Sequence, residues 1–180
     1  MKYFLISLET GIERISKIVK GLTKFSSNQD NYDIDCNIHK IIDNCLLMLN
    51  NQLNDKITIE RLFSSDNANV KCNEGDLHQV FINVFLNAIQ SISEKGKIKI
   101  TTKIVNGNVE VKISDTGSGI KPEYLKKVLD PFFTTKDPGK GTGLGLSIVY
   151  TIIKEHEGDI KINSEENIGT SVIIKLPVKN

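Results

Sequence analysis

The residues of this chain best suited to chemistry are mostly small and neutral, and their arrangement points to a phosphate. In the stretch Gly139-Lys140-Gly141-Thr142-Gly143-Leu144-Gly145-Leu146-Ser147, four glycines alternate with other residues, and an apolar run, Ile148-Val149-Tyr150-Thr151-Ile152-Ile153, follows at once. Glycine tolerates turns that a Cβ forbids and lets a ligand come close to the main chain. A helix beginning near Gly143 would aim its unpaired N–H groups and the positive end of its dipole into that loop. Taken alone, the stretch equally suits a flexible linker ahead of an ordinary helix, so its neighbours must decide.

A second cluster lies earlier. From Leu77 through Ser93 there is no Asp, Glu, Lys or Arg. At about 100° per residue, Leu77, Phe81, Ile82, Val84, Phe85, Leu86, Ala88, Ile89 and Ile92 fill most of a helical wheel. The remaining arc holds Gln79, Asn83, Asn87 and Gln90. A solvated face would carry Lys and Glu. Amides can instead ligate a hard cation through oxygen and donate N–H to phosphate, unless backbone groups inside the fold satisfy them. The third cluster centres on Asp115. Ile98, Ile100, Thr102 and Ile104 alternate with polar residues up to Asn106-Gly107, a two-residue hairpin turn. The return strand alternates Val109, Val111 and Ile113, and Asp115 is next in phase, so its carboxylate faces the core. That is costly unless something donates to it. A base with an exocyclic amine suits the position, with a partner inside the fold as the alternative. Thr116-Gly117-Ser118-Gly119 follows directly. Further on, Asp130-Pro131-Phe132-Phe133-Thr134-Thr135-Lys136 places two aromatics between a proline and the glycine-rich loop, as a lid hinge or a plain hydrophobic plug would.

The elements that must position these clusters can be read in order. Leu5, Leu8, Ile12, Ile15, Val19 and Leu22 recur at three- and four-residue steps, the a/d seam of a helical bundle. Ser26-Ser27-Asn28-Gln29-Asp30-Asn31 reads as a linker. A helix from about Asn37 places Ile38, Ile41, Ile42, Cys45, Met48 and Leu49 on one side. Strands are expected over 57–63 and 69–72, the amide helix over 74–93, then the hairpin and a short helix over 122–129. The helix after the glycine loop should run to about Glu157 and stop at Gly158, followed by strands near 160–163 and 170–176. With 39% hydrophobic and 25% charged residues the chain reads as soluble and globular. A formal net charge of +1 gives no basic field for nucleic acid. Cys36, Cys45 and Cys72 are odd in number without CxxC spacing, and Cys45 reads as buried and reduced. No run is long enough for a membrane span. Tyr3-Phe4-Leu5-Ile6 meets Glu9 too soon for a signal peptide, so a cytoplasmic location is expected.

Together, Asn83-Val84-Phe85-Leu86-Asn87, Asp115-Thr116-Gly117-Ser118-Gly119, Pro131-Phe132-Phe133-Thr134-Thr135-Lys136 and Gly141-Thr142-Gly143-Leu144-Gly145-Leu146 resemble a known series. In order and spacing they are similar to the N, G1, F and G2 boxes of the ATP-binding domain of two-component sensor histidine kinases. The pattern covers roughly residues 33–178, and its Phe-Phe-Thr-Thr-Lys form most resembles nitrogen-regulation-type sensors. DNA gyrase and its ATPase relatives share the fold without this set of boxes. The resemblance implies an α/β sandwich of the Bergerat type, a mixed sheet covered by three helices. It implies ATP and Mg²⁺ as cofactors and Asp115 as acceptor for the adenine amino group, with Gly117 and Gly119 shaping that pocket. Asn83 would hold Mg²⁺ against the phosphates, with Asn87 nearby, and Asn83 and Gln79 form the expected catalytic pair. Gly141, Gly143, Leu144 and Gly145 would offer N–H groups to the triphosphate, and Lys136 or Lys140 would add charge from the lid. Phe132, Phe133, Thr135, Thr142 and Leu146 complete the expected nucleotide-binding set.

Departures from the family pattern are few. Gln90 stands where many relatives carry Lys, Asp130 stands for the commoner Glu, and Glu157 replaces a usual Gly. The larger departure concerns histidine. His39, His78 and His156 are followed by Lys-Ile-Ile-Asp, Gln-Val-Phe-Ile and Glu-Gly-Asp, none of which matches the acceptor box His-Glu-hydrophobic-Arg-Asn-Pro. Residues 8–26, with Ile12-Glu13-Arg14-Ile15, resemble the second helix of the family's dimerisation hairpin. The expectation is a chain that begins after the acceptor helix, with 1–30 a remnant of that hairpin and 31–180 the catalytic domain. Expected partners are ATP/ADP, a response-regulator receiver domain, the acceptor-histidine helix of the full-length kinase and a second copy through the amino-terminal helix. Nucleic acid and membrane contact by this segment are not expected. An anti-sigma-type protein serine kinase shares the nucleotide fold but has no need of a dimerisation helix. A non-catalytic dimerising module with a relic site is opposed by intact Asn83, Asp115 and glycines.

Overall fold

The computed structural model describes residues 34–53, 56–64, 68–137 and 141–178. The expected amino-terminal helix, its seam and linker, and Lys140 lie outside the described residues.

Period-two alternation builds the sheet. Strands β2 (Ile57–Leu62), β4 (Gly96–Val105), β5 (Asn108–Asp115), β6 (Asp159–Glu165) and β7 (Gly169–Pro177) form a five-stranded sheet in the order β2-β4-β5-β7-β6. Only β2 and β4 run parallel; the other neighbours are antiparallel, so the sheet is mixed as expected. Asn106 and Gly107, at φ 50° and 73°, make the tight turn between β4 and β5. That turn fixes the register down to Ile98 opposite Asp115. One sheet face carries the buried Ile98, Ile100, Val109, Val111, Ile113, Ile174 and Leu176.

Three helices cover that face: α1 (Ile38–Met48), α3 (Glu74–Ser91) and α4 (Gly145–Glu155). Helix α3 is central and touches α1, α4, β5 and β7, which is why its Phe81 and Phe85 are fully buried. Asn37 caps α1 by accepting the Lys40 N–H, and Asn73 caps α3 by accepting the Asp76 N–H. A one-turn helix, α2 (Asn50–Leu53), follows α1. A second, two-stranded sheet pairs β1 (Ile34–Asn37) with β3 (Asn69–Cys72), and Cys36 and Cys72 are disulfide-bonded across it. No spacing in the sequence signals this pair, whose partners lie 36 residues apart. Cys45 is the free, buried thiol.

His156 ties the ends of two helices together. Its Nδ1–H donates to the Ile152 carbonyl at 2.8 Å, and its Nε2 accepts the Asn73 N–H at 3.1 Å. The start of α3 is thereby joined to the end of α4. Helix α4 ends at Glu155, and it is Glu157 at φ 56°, not Gly158, that takes the left-handed conformation. Glu157 N–H bonds Lys154 O and Gly158 N–H bonds Ile153 O, the paired closure of a Schellman motif.

Two expectations need correcting. Residues 122–129 form successive turns, not a helix: Tyr124, Leu125, Lys127 and Asp130 each donate three residues back. A segment this short gains too few bonds to offset helix nucleation. Met48, expected on the buried side of α1, is 65% exposed. At about 100° per residue the buried arc runs from Ile41 through Ile38 and Ile42 to Leu46, and Met48 falls just beyond Ile41.

Candidate functional site

A cavity of about 700 Å³ opens between α3, the end of β5, the 131–136 segment and the start of α4. At its inner end stands Asp115. Its Oδ1 accepts the Gly117 N–H at 2.9 Å, the Ser91 hydroxyl at 3.1 Å and the Thr170 N–H at 3.3 Å. All three land on one oxygen, which leaves Oδ2 free to accept from a ligand. Burial pushes the Asp115 carboxyl above the ordinary carboxylate range, while the donors from Gly117, Ser91 and Thr170 pull the other way. Ile113, Ile120, Ile162 and Val172 line the same end, an apolar setting for a flat base with one exocyclic donor.

The opposite wall is polar and neutral. Asn83 and Asn87 lie one turn apart on α3 and face the cavity. Neither makes a side-chain hydrogen bond among the described residues, so internal satisfaction does not explain them. Across from them, α4 starts without a side-chain cap and without an acidic residue in its first turn. The N–H groups of Gly145, Leu146 and Ser147 find no acceptor among the described residues. The uncapped turn is a ready anion site. A Cβ on Gly145 would stand 3.6 Å from Asn83 Oδ1 and 3.9 Å from Asn87 Nδ2, so amides and helix terminus look at one another across the space.

The other glycines serve a different need. A Cβ at Gly117 would lie 2.0 Å from Ser91 Oγ, and one at Gly143, where φ is 68°, would lie 2.3 Å from the Phe132 carbonyl carbon. These positions let chain approach chain, shaping the cavity from behind. Gly143 in particular seats the glycine loop on the backbone of the 131–136 segment. Within that segment Phe133 packs on Tyr124 with ring centroids 5.7 Å apart. Lys136 Nζ donates to Gln90 Oε1 at 2.5 Å.

Most of the expected site residues therefore meet in one place. Asn83, Asn87, Asp115, Gly119, Phe133, Thr135 and Lys136 line the cavity, as do Gly141, Thr142, Gly143, Leu144, Gly145 and Leu146. Gln79 does not line it, being placed one turn before Asn83. Gly117 acts from behind through its N–H, and Phe132 turns outward, 63% exposed at φ 66°. Lys140 is outside the described residues. The sequence reading missed Ser91 and Thr170, which hold Asp115. Ser91 continues the stripe of Asn83 and Asn87 at the next i+4 step, a signal that was available; Thr170 is brought in only by the β5–β7 pairing.

No group of three or more His, Cys, Asp or Glu that could hold a metal exists among the described residues. A cation here would have to arrive with an anionic ligand and take Asn83 Oδ1 as a protein oxygen, which the chemistry of that amide permits. No helix among the described residues is long and apolar enough to cross a membrane.

Comparison with known proteins agrees with this geometry. Residues 72–180 match the family described as histidine kinase-, DNA gyrase B-, and HSP90-like ATPase. Sporulation kinase E of Bacillus subtilis (strain 168) is 33% identical over 179 residues, covering 98% of this chain and 24% of that kinase. The chain thus spans about a quarter of the length of that curated relative. The catalytic domain of histidine kinase ThkA, solved free of nucleotide, is 33% identical with a TM-score of 0.72, over 80% of this chain and 94% of that domain. ThkA in complex with the response regulator protein TrrA gives 28% identity and a TM-score of 0.77, over 99% of this chain and 51% of that one. The mixed sheet under three helices, the cavity between Asp115 and the uncapped α4, and these matches give one conclusion: the chain belongs to this ATPase family, as a histidine kinase catalytic, ATP-binding domain.

Proposed function

We propose that this chain binds Mg-ATP and transfers its γ-phosphoryl group to a histidine on a separate helical segment of a sensor kinase, from which it passes to a response-regulator receiver domain. One observation carries the reading. A carboxylate with one oxygen left open stands at the apolar end of the cavity, and an uncapped helix terminus stands at the other. The first suits the adenine amino group and the second suits the phosphates. Phosphoryl transfer asks mainly for positioning and charge stabilisation, which backbone donors, amides and one lysine supply. Mg²⁺, held against the phosphates by Asn83, would neutralise charge that developed there.

The three histidines support an acceptor elsewhere, because each has a structural task and none lines the cavity. His39 stacks on Phe63 and bonds Thr102 Oγ1 at 2.8 Å. His78 Nδ1 meets Glu74 O at 2.9 Å, and His156 is buried between two helices. Residues 1–25, with their aliphatic seam, are proposed to pair two copies, and the domain to work in the cytoplasm.

Calorimetry with ADP tests the binding half: Asp115→Asn should weaken affinity roughly ten- to hundredfold, the worth of one hydrogen bond to a charged group. Equal affinity in the two proteins would sink the assignment. For the transfer half, γ-labelled ATP should leave no acid-labile, base-stable label on this chain alone. Label should appear when a helical fragment carrying an acceptor-box histidine is supplied. Label mapping to His39, His78 or His156 would overturn the separate-acceptor reading.

A further inference from the structure

Two side chains meet across the mouth of the cavity. Gln90 stands on the last turn of α3, and Lys136 ends the 131–136 segment, so the pair joins the fixed wall to the covering strap. Lys136 Nζ donates to Gln90 Oε1 at 2.5 Å, and the Lys136 N–H bonds Thr134 Oγ1 at 3.2 Å. The aliphatic stem is held as well. A Cβ on Gly141 would lie 2.7 Å from Thr134 Oγ1 and 3.2 Å from Lys136 Cδ, so the glycine loop lies directly on the lysine stem. Both Gln90 and Lys136 line the cavity with Asn87 and Gly141.

The partner's chemistry matters. A carboxylate at position 90 would neutralise the ammonium and hold it back, and a second cation would repel it. A neutral amide oxygen fixes the direction of the ammonium without cancelling its charge, and an ammonium has further donors to offer. Among the described residues no acidic side chain pairs with Lys136. Partial loss of water pushes its pKa down from the usual lysine value.

We propose that Gln90 is a positioning residue: its side-chain oxygen holds Lys136 across the cavity mouth, so that the ammonium meets the phosphate chain of a nucleoside di- or triphosphate. The inference rests on the nucleotide reading above and deepens it. The fixed helix supplies the acceptor and the strap supplies the charge, so strap and nucleotide engage together. The contact concerns phosphate and not the base, which makes it separable from Asp115.

The test compares ADP with adenosine on the full chain, by calorimetry and by competition. Gln90→Leu should weaken ADP about three- to tenfold and leave adenosine unchanged, with Lys136→Met losing at least as much. The double variant should be no worse than Lys136→Met alone, because Gln90 acts through the lysine. The exchanged pair Gln90→Lys with Lys136→Gln keeps one amide and one ammonium in contact and should recover part of the ADP affinity. In the parent chain ADP affinity should fall as pH rises through the lowered lysine pKa, and Lys136→Met should lack that fall. Equal losses for ADP and adenosine, or additive losses in the double variant, would overturn the proposal and leave the nucleotide site standing. A parent chain that binds adenosine and ADP equally, or neither, overturns the nucleotide reading and this inference with it.

Discussion

Asp115 shows how a residue's neighbours set its chemistry. Three donors on Oδ1 hold the carboxylate in place, and burial raises its pKa. If Oδ2 accepts the adenine amine as proposed, nucleotide affinity should decline on acidification at a higher pH than an ordinary carboxylate, near 3.9, would give, because the protonated oxygen would no longer accept. The sign for the fold is opposite. A carboxyl whose pKa is raised in the folded state costs stability when ionised, so the relief is complete below the ordinary value and is lost as pH rises through the raised one. ADP titrations from neutral to acid pH check this: affinity should fall before stability does, and Asp115→Asn should flatten the affinity profile. A second residue-scale expectation concerns Cys45. Its thiol is buried, and desolvation pushes its pKa up to about 12. It should resist alkylation in the native protein and react on unfolding, while rapid native labelling would contradict that burial. Asp115 was legible in the sequence because strand alternation carried its phase from Val109 onward. Thr170, arriving from β7, was not, since no local pattern encodes a partner 55 residues away.

Among the elements, legibility followed periodicity. The amide helix and the hairpin are long and strongly patterned, and both lie close to where their spacing puts them. Residues 122–129 carry no such pattern and resolve into turns. The hairpin turn gives a clean measure of backbone cost. Gly107 has φ 73° with nothing within 4 Å of a built Cβ, so Gly107→Ala tests conformation without a clash. It should lower stability by about 1 kcal/mol and leave ADP affinity unchanged, read by denaturant unfolding and calorimetry together. His156 works at the same scale, because one ring joins the cap of α3 to the last turn of α4. His156→Leu fills similar space but orphans the Asn73 N–H, a loss of about 1–3 kcal/mol. Since α3 and α4 carry opposite walls of the cavity, ADP affinity should fall too, and a change in neither quantity would refute the tie.

At the scale of the whole molecule, the residues proposed to bind nucleotide lie within the described part of the chain apart from Lys140. Leu5, Leu8, Ile12, Ile15, Val19 and Leu22 are six large aliphatic residues at a/d spacing, which as a helix would make one stripe, and each side chain left in water would forfeit roughly 1.5–3 kcal/mol. That total is large beside the few kcal/mol by which a domain is stable, so such a stripe is expected to find cover. The a/d spacing favours another helix over a flat sheet face, and Ser26-Ser27-Asn28-Gln29-Asp30-Asn31 reads as a linker. The domain's own helices bury Ile38, Ile42, Phe81, Phe85, Val149 and Ile153, at most 2% exposed, leaving Leu47 and Met48 of α1 exposed as the apolar side chains a folded-back seam would meet. A second copy, which would offer a matching seam, is the partner proposed above. The expected outcome is a concentration-dependent dimer by sedimentation, lost when the chain is started at Asp33, with ADP affinity retained. A monomer at high concentration would refute pairing between copies, and loss of ADP binding on truncation would show that the seam belongs to the domain's own core.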